Sequence, residues 1–196
     1  MPTVHLVHGF NVRNGGKTTT DKLVPYFQRF DFETIEHDYG WLGLLGSYTC
    51  NAAIGNVVAM AARWGDIGCG HSNGCAILTR AADAGAKFTG LIFINPALDA
   101  DMRFAPQVQW IHVYHNADDK AVTLAGLLPN FINKRWGNMG AYGYTGDDPR
   151  VTNVNCGTGP VPVSGHSDIF NKLDPWGHYI ALKARGESAV PASGHP

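Results

Sequence analysis

Apolar positions along this chain fall in short unbroken runs rather than in alternation. Residues 3–8 (TVHLVH), 34–38 (TIEHD), 66–70 (DIGCG), 90–95 (GLIFIN), 109–115 (QWIHVYH) and 151–156 (VTNVNC) each end at Gly, Pro, Asn or Asp. All six read as strands, and those over 3–8, 90–95 and 109–115 as buried ones. Between them, apolar residues recur at helical spacing over 21–30, 49–64, 74–85, 121–136 and 175–185. Gly65 and Gly85 stand where helices stop, Pro175 where one starts, and Pro129 is expected to break or kink the fourth. About six rounds of strand and helix predict an α/β fold, a mostly parallel sheet with helices on both faces. In such sheets ligands bind at the carboxyl ends of the strands, so chemistry is sought in the loops leaving those ends.

Length and charge narrow the picture. With 196 residues the chain suffices for one substantial domain. We expect it over 1–186, with 187–196 as a flexible tail. Hydrophobic residues make up 44%, charged residues 16%, and the formal net charge is -1. There is no basic cluster, so no nucleic-acid partner is expected. No apolar run reaches the roughly 20 residues of a membrane span, and residues 1–11 carry no secretion signal. A cytoplasmic location is the expectation. Four cysteines, Cys50, Cys69, Cys75 and Cys156, without a C-x-x-C pair read as free thiols.

The candidate chemistry lies in CGHSNGC, residues 69–75. A serine hydroxyl attacks carbonyls only when a histidine takes its proton and a third group orients that histidine. Here Ser72 sits between a short strand and an Ala-rich helix, and Gly70 and Gly74 clear space around a strained turn. This stretch resembles the nucleophile elbow of the α/β-hydrolase superfamily, whose triad runs Ser, then acid, then His. The strand ending at His115 leads into NADDKAV, and the last strand into GTGPVPVSGHSDIF. The resemblance therefore implies Ser72 as nucleophile, Asp119 as acid and His166 as base. Asp118 is the rival acid; D-K-A-V favours Asp119. His178, on a helical stretch, is the rival histidine. HGFN at 8–11 resembles the family's His-Gly segment, which implies backbone N–H groups of Phe10 and Asn73 as the oxyanion hole.

The resemblance further implies a lidless esterase or lipase-like serine hydrolase with a small-molecule ester substrate and no cofactor. A thioesterase or amidase with the same triad, or a non-catalytic binding protein, are the alternatives. Only 13 residues (PALDADMRFAPQV) separate two strands where a lid is often inserted. Trp41, Leu44 and Leu45 are candidate pocket residues. Residues 137–146, with Tyr142 and Tyr144, are a candidate flap, and 13–21 a loose rim. No metal site is expected, because His112 and His115, three apart on a strand, face opposite sides. NGGKTT lacks the first glycine of a phosphate-binding loop, Asn11 standing in its place.

Overall fold

The computed structural model describes residues 1–125, 136–159 and 161–188, with the side chains of 44, 45, 47, 48, 124, 125, 187 and 188 left aside. Among these residues six strands form one sheet: β1 (Thr3–Val7), β2 (Glu33–His37), β3 (Asp66–His71), β4 (Phe88–Ile94), β5 (Trp110–His115) and β6 (Val151–Asn155). Their order is β2-β1-β3-β4-β5-β6 and every pairing is parallel. The order reverses between β1 and β3, so the loops after these two strands open a crevice at the carboxyl edge.

Period-two alternation sorts the strands' side chains onto two cores. Leu91, Phe93, Ile111 and Val113 face one side, where α2 (Leu44–Ala61) and α3 (Asn73–Asp83) supply Val58, Ile77 and Leu78. Ile92, Ile94, Trp110 and Tyr114 face the other, against α1 (Val24–Gln28) and α6 (Leu173–Ser188), which supply Phe27, Trp176 and Ile180. Two further short helices, α4 (Lys120–Ala125) and α5 (Met139–Tyr142), flank the edge after β5.

Several boundaries differ from expectation for identifiable reasons. The helix expected over 21–30 is a 3₁₀ turn, Thr20–Leu23, followed by the five-residue α1. Pro25 sits in the first turn of α1, where its missing N–H is harmless, and it cannot continue a helix from upstream. α2 starts at Leu44 rather than 49, running through Gly46. A single interior glycine costs only about 1 kcal/mol, which packing offsets. Of the helix expected over 121–136, α4 accounts for the beginning; residues 126–135, Pro129 included, lie outside the described residues, as does the end of the expected tail. The β4–β5 connection, 95–109, carries no helix, so no lid is inserted there. No described helix is long and apolar enough to cross a membrane.

The candidate flap is pinned down. Met139 and Gly140 N–H donate to Leu98 and Pro96 carbonyls (3.0 and 2.8 Å), and Asn153 brackets Tyr144 through both backbone groups (2.8 Å each). Tyr144 is buried against Phe104, which leaves Tyr142 as the exposed tyrosine of the pair.

Candidate active site

β3 ends at His71 and α3 begins at Asn73, so Ser72 alone makes the turn between them, at φ 55° and ψ -122°. A positive φ is costly for a residue with a Cβ and persists only where surroundings enforce it. Here they do. Ser72 N–H donates to Ile94 O (3.1 Å), and its carbonyl accepts from Cys75 and Ala97 N–H (3.1 and 3.3 Å). The two glycines make the close approach possible. A Cβ on Gly74 would sit on the Val7 carbonyl and 2.6 Å from His8 O, and one on Gly70 would lie 2.9 Å from Cys75 N.

Asp119 follows β5 and is fully buried, whereas Asp118 beside it is exposed. The Asp119 carboxylate accepts from Asn95 Nδ2 (2.9 Å), from Val122 N–H in the first turn of α4 (3.2 Å), and from His166 Nδ1 (2.8 and 3.0 Å). Because Nδ1 faces a carboxylate it carries the proton, and Nε2 of His166 is left as a lone-pair acceptor. This tautomer is assigned from the partners. The imidazole keeps 22% of its surface open to solvent while the acid keeps none.

The His166 loop is held from two sides. Asn116 forms a reciprocal pair with Gly165, donating to its carbonyl (3.0 Å) and accepting from its N–H (3.1 Å). His71 Nε2 donates to the His166 carbonyl (3.0 Å), and the two imidazoles lie 4.7 Å apart between centroids. His166 is thus packed on the residue that precedes Ser72. Burial, with His166 alongside, pushes His71 down to about 3, so His71 is a neutral donor throughout the working range.

On the other flank, Tyr39 stacks on His8 (3.9 Å, 20°) and its hydroxyl donates to the His8 and Gly9 carbonyls. This fixes the loop carrying Phe10. Burial pushes the Tyr39 hydroxyl upward and His8 downward, so both stay uncharged. Asn73, at the first position of α3, is fully buried and exchanges amide hydrogen bonds with Asn51 (2.7 and 3.0 Å). Trp136 Nε1 donates to the same Asn73 oxygen (2.9 Å), and its ring meets Phe10 edge-on (5.5 Å, 72°). One indole therefore touches both residues expected at the oxyanion hole.

The structure therefore joins Asp119 to His166 and sets His166 against the turn bearing Ser72. His178 lies on α6 against Phe30, away from this group. Trp41 is 55% exposed, bonded through Nε1 to Asn11 Oδ1 and overlain by Arg13; the side chains of Leu44 and Leu45 lie outside the described residues. Sequence reasoning does not single out Asn95, Asn116, Asn51 or Trp136; the signal for the first two is their place directly after β4 and β5. All four cysteines are free, and burial raises the thiols of Cys69 and Cys75 well above the ordinary range. Among the described residues no group of three or more His, Cys, Asp or Glu could hold a metal ion.

No protein-family model matches the chain, and no curated protein matches it in sequence. Solved structures do match. A protein of the α/β-hydrolase superfamily from Xanthomonas campestris pv. campestris superposes with TM-score 0.51 at 17% identity, covering 95% of this chain and 97% of its own. A pyrethroid hydrolase from Sphingobium faniae JZ-2 gives 0.58 at 14%, covering 98% and 99%. Lipase B of Aspergillus fumigatus gives 0.59 at 14%, covering 96% of this chain and 55% of the lipase.

Proposed function

For a chain with the α/β-hydrolase fold, we propose that this site hydrolyses carboxylic esters through an acyl-enzyme on Ser72. The observation that carries this reading is the Asp119–His166 pair, packed on His71, the residue that precedes a serine held at positive φ on a strand-to-helix turn. Neighbours described as a pyrethroid hydrolase and a lipase support an ester as the substrate class.

In the first half-reaction Nε2 of His166 takes the hydroxyl proton as Ser72 Oγ bonds to the ester carbonyl carbon. The negative charge moves to the carbonyl oxygen, to which the N–H groups of Asn73 and Phe10 donate hydrogen bonds; each such donor is worth about 3 to 4 kcal/mol. Asn73 N–H is one of the first donors of α3, which have no intrahelical partner, and the helix dipole adds to it. When the tetrahedral centre collapses, the C–O bond to the alcohol breaks and His166 returns its proton to the departing oxygen. Water then attacks the acyl-serine, its proton going to Nε2 and on to Ser72 as the carboxylic acid leaves. Asp119 accepts from Nδ1–H and holds the imidazole in one tautomer throughout.

The test is turnover of p-nitrophenyl acetate and butyrate by the protein and by Ser72→Ala. We expect hydrolysis that falls by about a thousandfold or more in the variant. Thioesters cleaved while esters are untouched would replace the substrate class, and binding of esters without turnover would make the protein a receptor rather than an enzyme.

A further inference from the structure

The side chain of Asn73 has no part in the acyl transfer described above, yet it is fully buried and bonded at both ends of its amide. Asn51 Nδ2, on α2, donates to its oxygen (2.7 Å), its own NH2 donates to Asn51 Oδ1 (3.0 Å), and Trp136 Nε1 donates to the same Asn73 oxygen (2.9 Å). An indole nitrogen can only donate, so it settles which atom of Asn73 faces it. With the oxygen turned to Trp136, the Asn73 NH2 must meet the Asn51 oxygen, and the Asn51 NH2 is left for the Asn73 oxygen. Neither amide can flip without setting donor against donor.

This clasp ties together parts of the chain that converge on Ser72. A Cβ added at Gly55, one turn after Asn51, would lie 2.8 Å from Arg80 Cβ and 3.0 Å from Ala81 N, so α2 rests directly on α3. Trp136 packs against Ala97, Val122 and Ala141 and meets Phe10 edge-on. The N–H of Asn73 belongs to the peptide whose carbonyl, that of Ser72, accepts from Cys75 and Ala97 N–H. That peptide is held by the backbone at its carbonyl and by the Asn73 side chain at its other end. As the first N–H of α3 it receives no direction from an intrahelical hydrogen bond.

We propose that Asn51 is a positioning residue: through the Asn73 side chain it fixes the direction of the Asn73 N–H toward the developing oxyanion. The inference rests on the ester-hydrolase reading above, in which that N–H is one of two donors. A hydrogen bond weakens steeply once its angle falls below about 120°, and a donor to an oxyanion is most effective when it is aimed before the charge appears. If the amide pair served only to fill the core, two apolar side chains of the same shape would do as well. Paired amides, with their orientation set by an indole, supply direction instead. Asn51 acts through Asn73 and not on the substrate.

The experiment measures turnover of p-nitrophenyl acetate and inhibition by phenylboronic acid in the wild type, Asn51→Ala and Asn51→Asp. In Asn51→Ala we expect kcat to fall about tenfold with KM little changed, as loss of one or two hydrogen bonds allows, and Ki of the boronic acid to rise by a similar factor, because its tetrahedral adduct uses the same donors as the transition state. A merely structural role would lower the fraction of folded enzyme, scaling kcat and leaving Ki where it was. Asn51→Asp keeps the shape of the side chain and reads the clasp even if Asn51→Ala does not fold. A protonated carboxyl reproduces the donor and acceptor of the amide, whereas an ionised one turns a second acceptor toward the Asn73 oxygen. Burial favours the protonated form, so the activity of Asn51→Asp relative to wild type should decline as pH rises between about 6 and 9, the ionisation of His166 cancelling in the ratio. An unchanged Ki in Asn51→Ala or, should that variant not fold, a ratio for Asn51→Asp that is independent of pH overturns the role of Asn51 and leaves the ester-hydrolase reading standing. Failure of the wild-type chain to cleave any ester overturns both.

Discussion

Replacing Asp119 by Asn keeps the volume of the side chain and changes one acceptor into a donor. Val122 N–H donates to Oδ1, so the amide oxygen of the variant stays on that side and the NH2 takes the place of Oδ2. That atom now accepts from both Asn95 Nδ2 at 2.9 Å and His166 Nδ1 at 2.8 Å. An NH2 there meets two donors. His166 relieves its share of the conflict by moving its proton to Nε2, which lets Nδ1 accept; the nitrogen facing the substrate is then no longer a base. Loss of the correct tautomer in a serine triad costs about 10⁴ in kcat, or roughly 5 kcal/mol of barrier. Folding stability should also fall, by about 1 to 3 kcal/mol, because charge-assisted hydrogen bonds at a fully buried carboxylate are weakened. Steady-state kinetics on p-nitrophenyl acetate at pH 7.5 or thereabouts, with urea unfolding of the same preparation, separates the two effects. The exposed neighbour gives the control: Asp118→Asn should stay within about twofold of wild type, as surface changes usually do. An Asp119→Asn variant within tenfold of wild type, or a larger loss in Asp118→Asn, refutes the reasoning.

Other changes test the supports around that pair. Asn116→Ala removes both bonds to Gly165 and should cost about 1 to 3 kcal/mol of stability, read by denaturant unfolding, together with a drop in kcat as the His166 loop loosens. Trp136→Phe keeps a ring near Phe10 and deletes the bond to Asn73; kcat should fall about tenfold with KM little changed, and affinity for a boronic acid analogue should fall in step. An unchanged kcat would mean that the indole does not steady the oxyanion residues. His71, ordinarily near 6.5, is pushed down to about 3 by burial, and His37 to about 4. The folded state thus binds fewer protons than the unfolded one as pH falls. Their contribution is complete above pH 6.5 and is lost from there down to the folded values. Unfolding free energy should decline with acidification over that window, and less steeply in His71→Asn; equal slopes would contradict it.

The inner strands were legible because strands buried on both faces must be apolar almost throughout, as in GLIFIN, whose residues divide between the two cores, whereas β2 and β6, at the sheet's two edges, are polar and largely unburied. The elbow was legible because glycines flanking a serine between strand and helix have a steric reason to be there. The partner of His166 could be picked from a local spacing, D-K-A-V, and that spacing is matched by a hydrogen bond from Val122 N–H back to the Asp119 carboxylate. Helix starts were read less well. Pro25 divided one helix, and another began at Leu44 rather than 49 and ran through Gly46, since tertiary packing decides what a single such residue does. The supports were not legible at all. Asn95, Asn116 and Trp136 act on residues 24, 49 and 63 positions away, and pairings at such separations leave no periodic trace.

The most direct measurement is labelling by a fluorophosphonate, which bonds only to a serine whose proton is being drawn away. The account predicts a single adduct, located by mass spectrometry on the peptide carrying Ser72, absent from Ser72→Ala and nearly absent from His166→Ala. An adduct on another residue, or ester turnover that survives in Ser72→Ala, would contradict it.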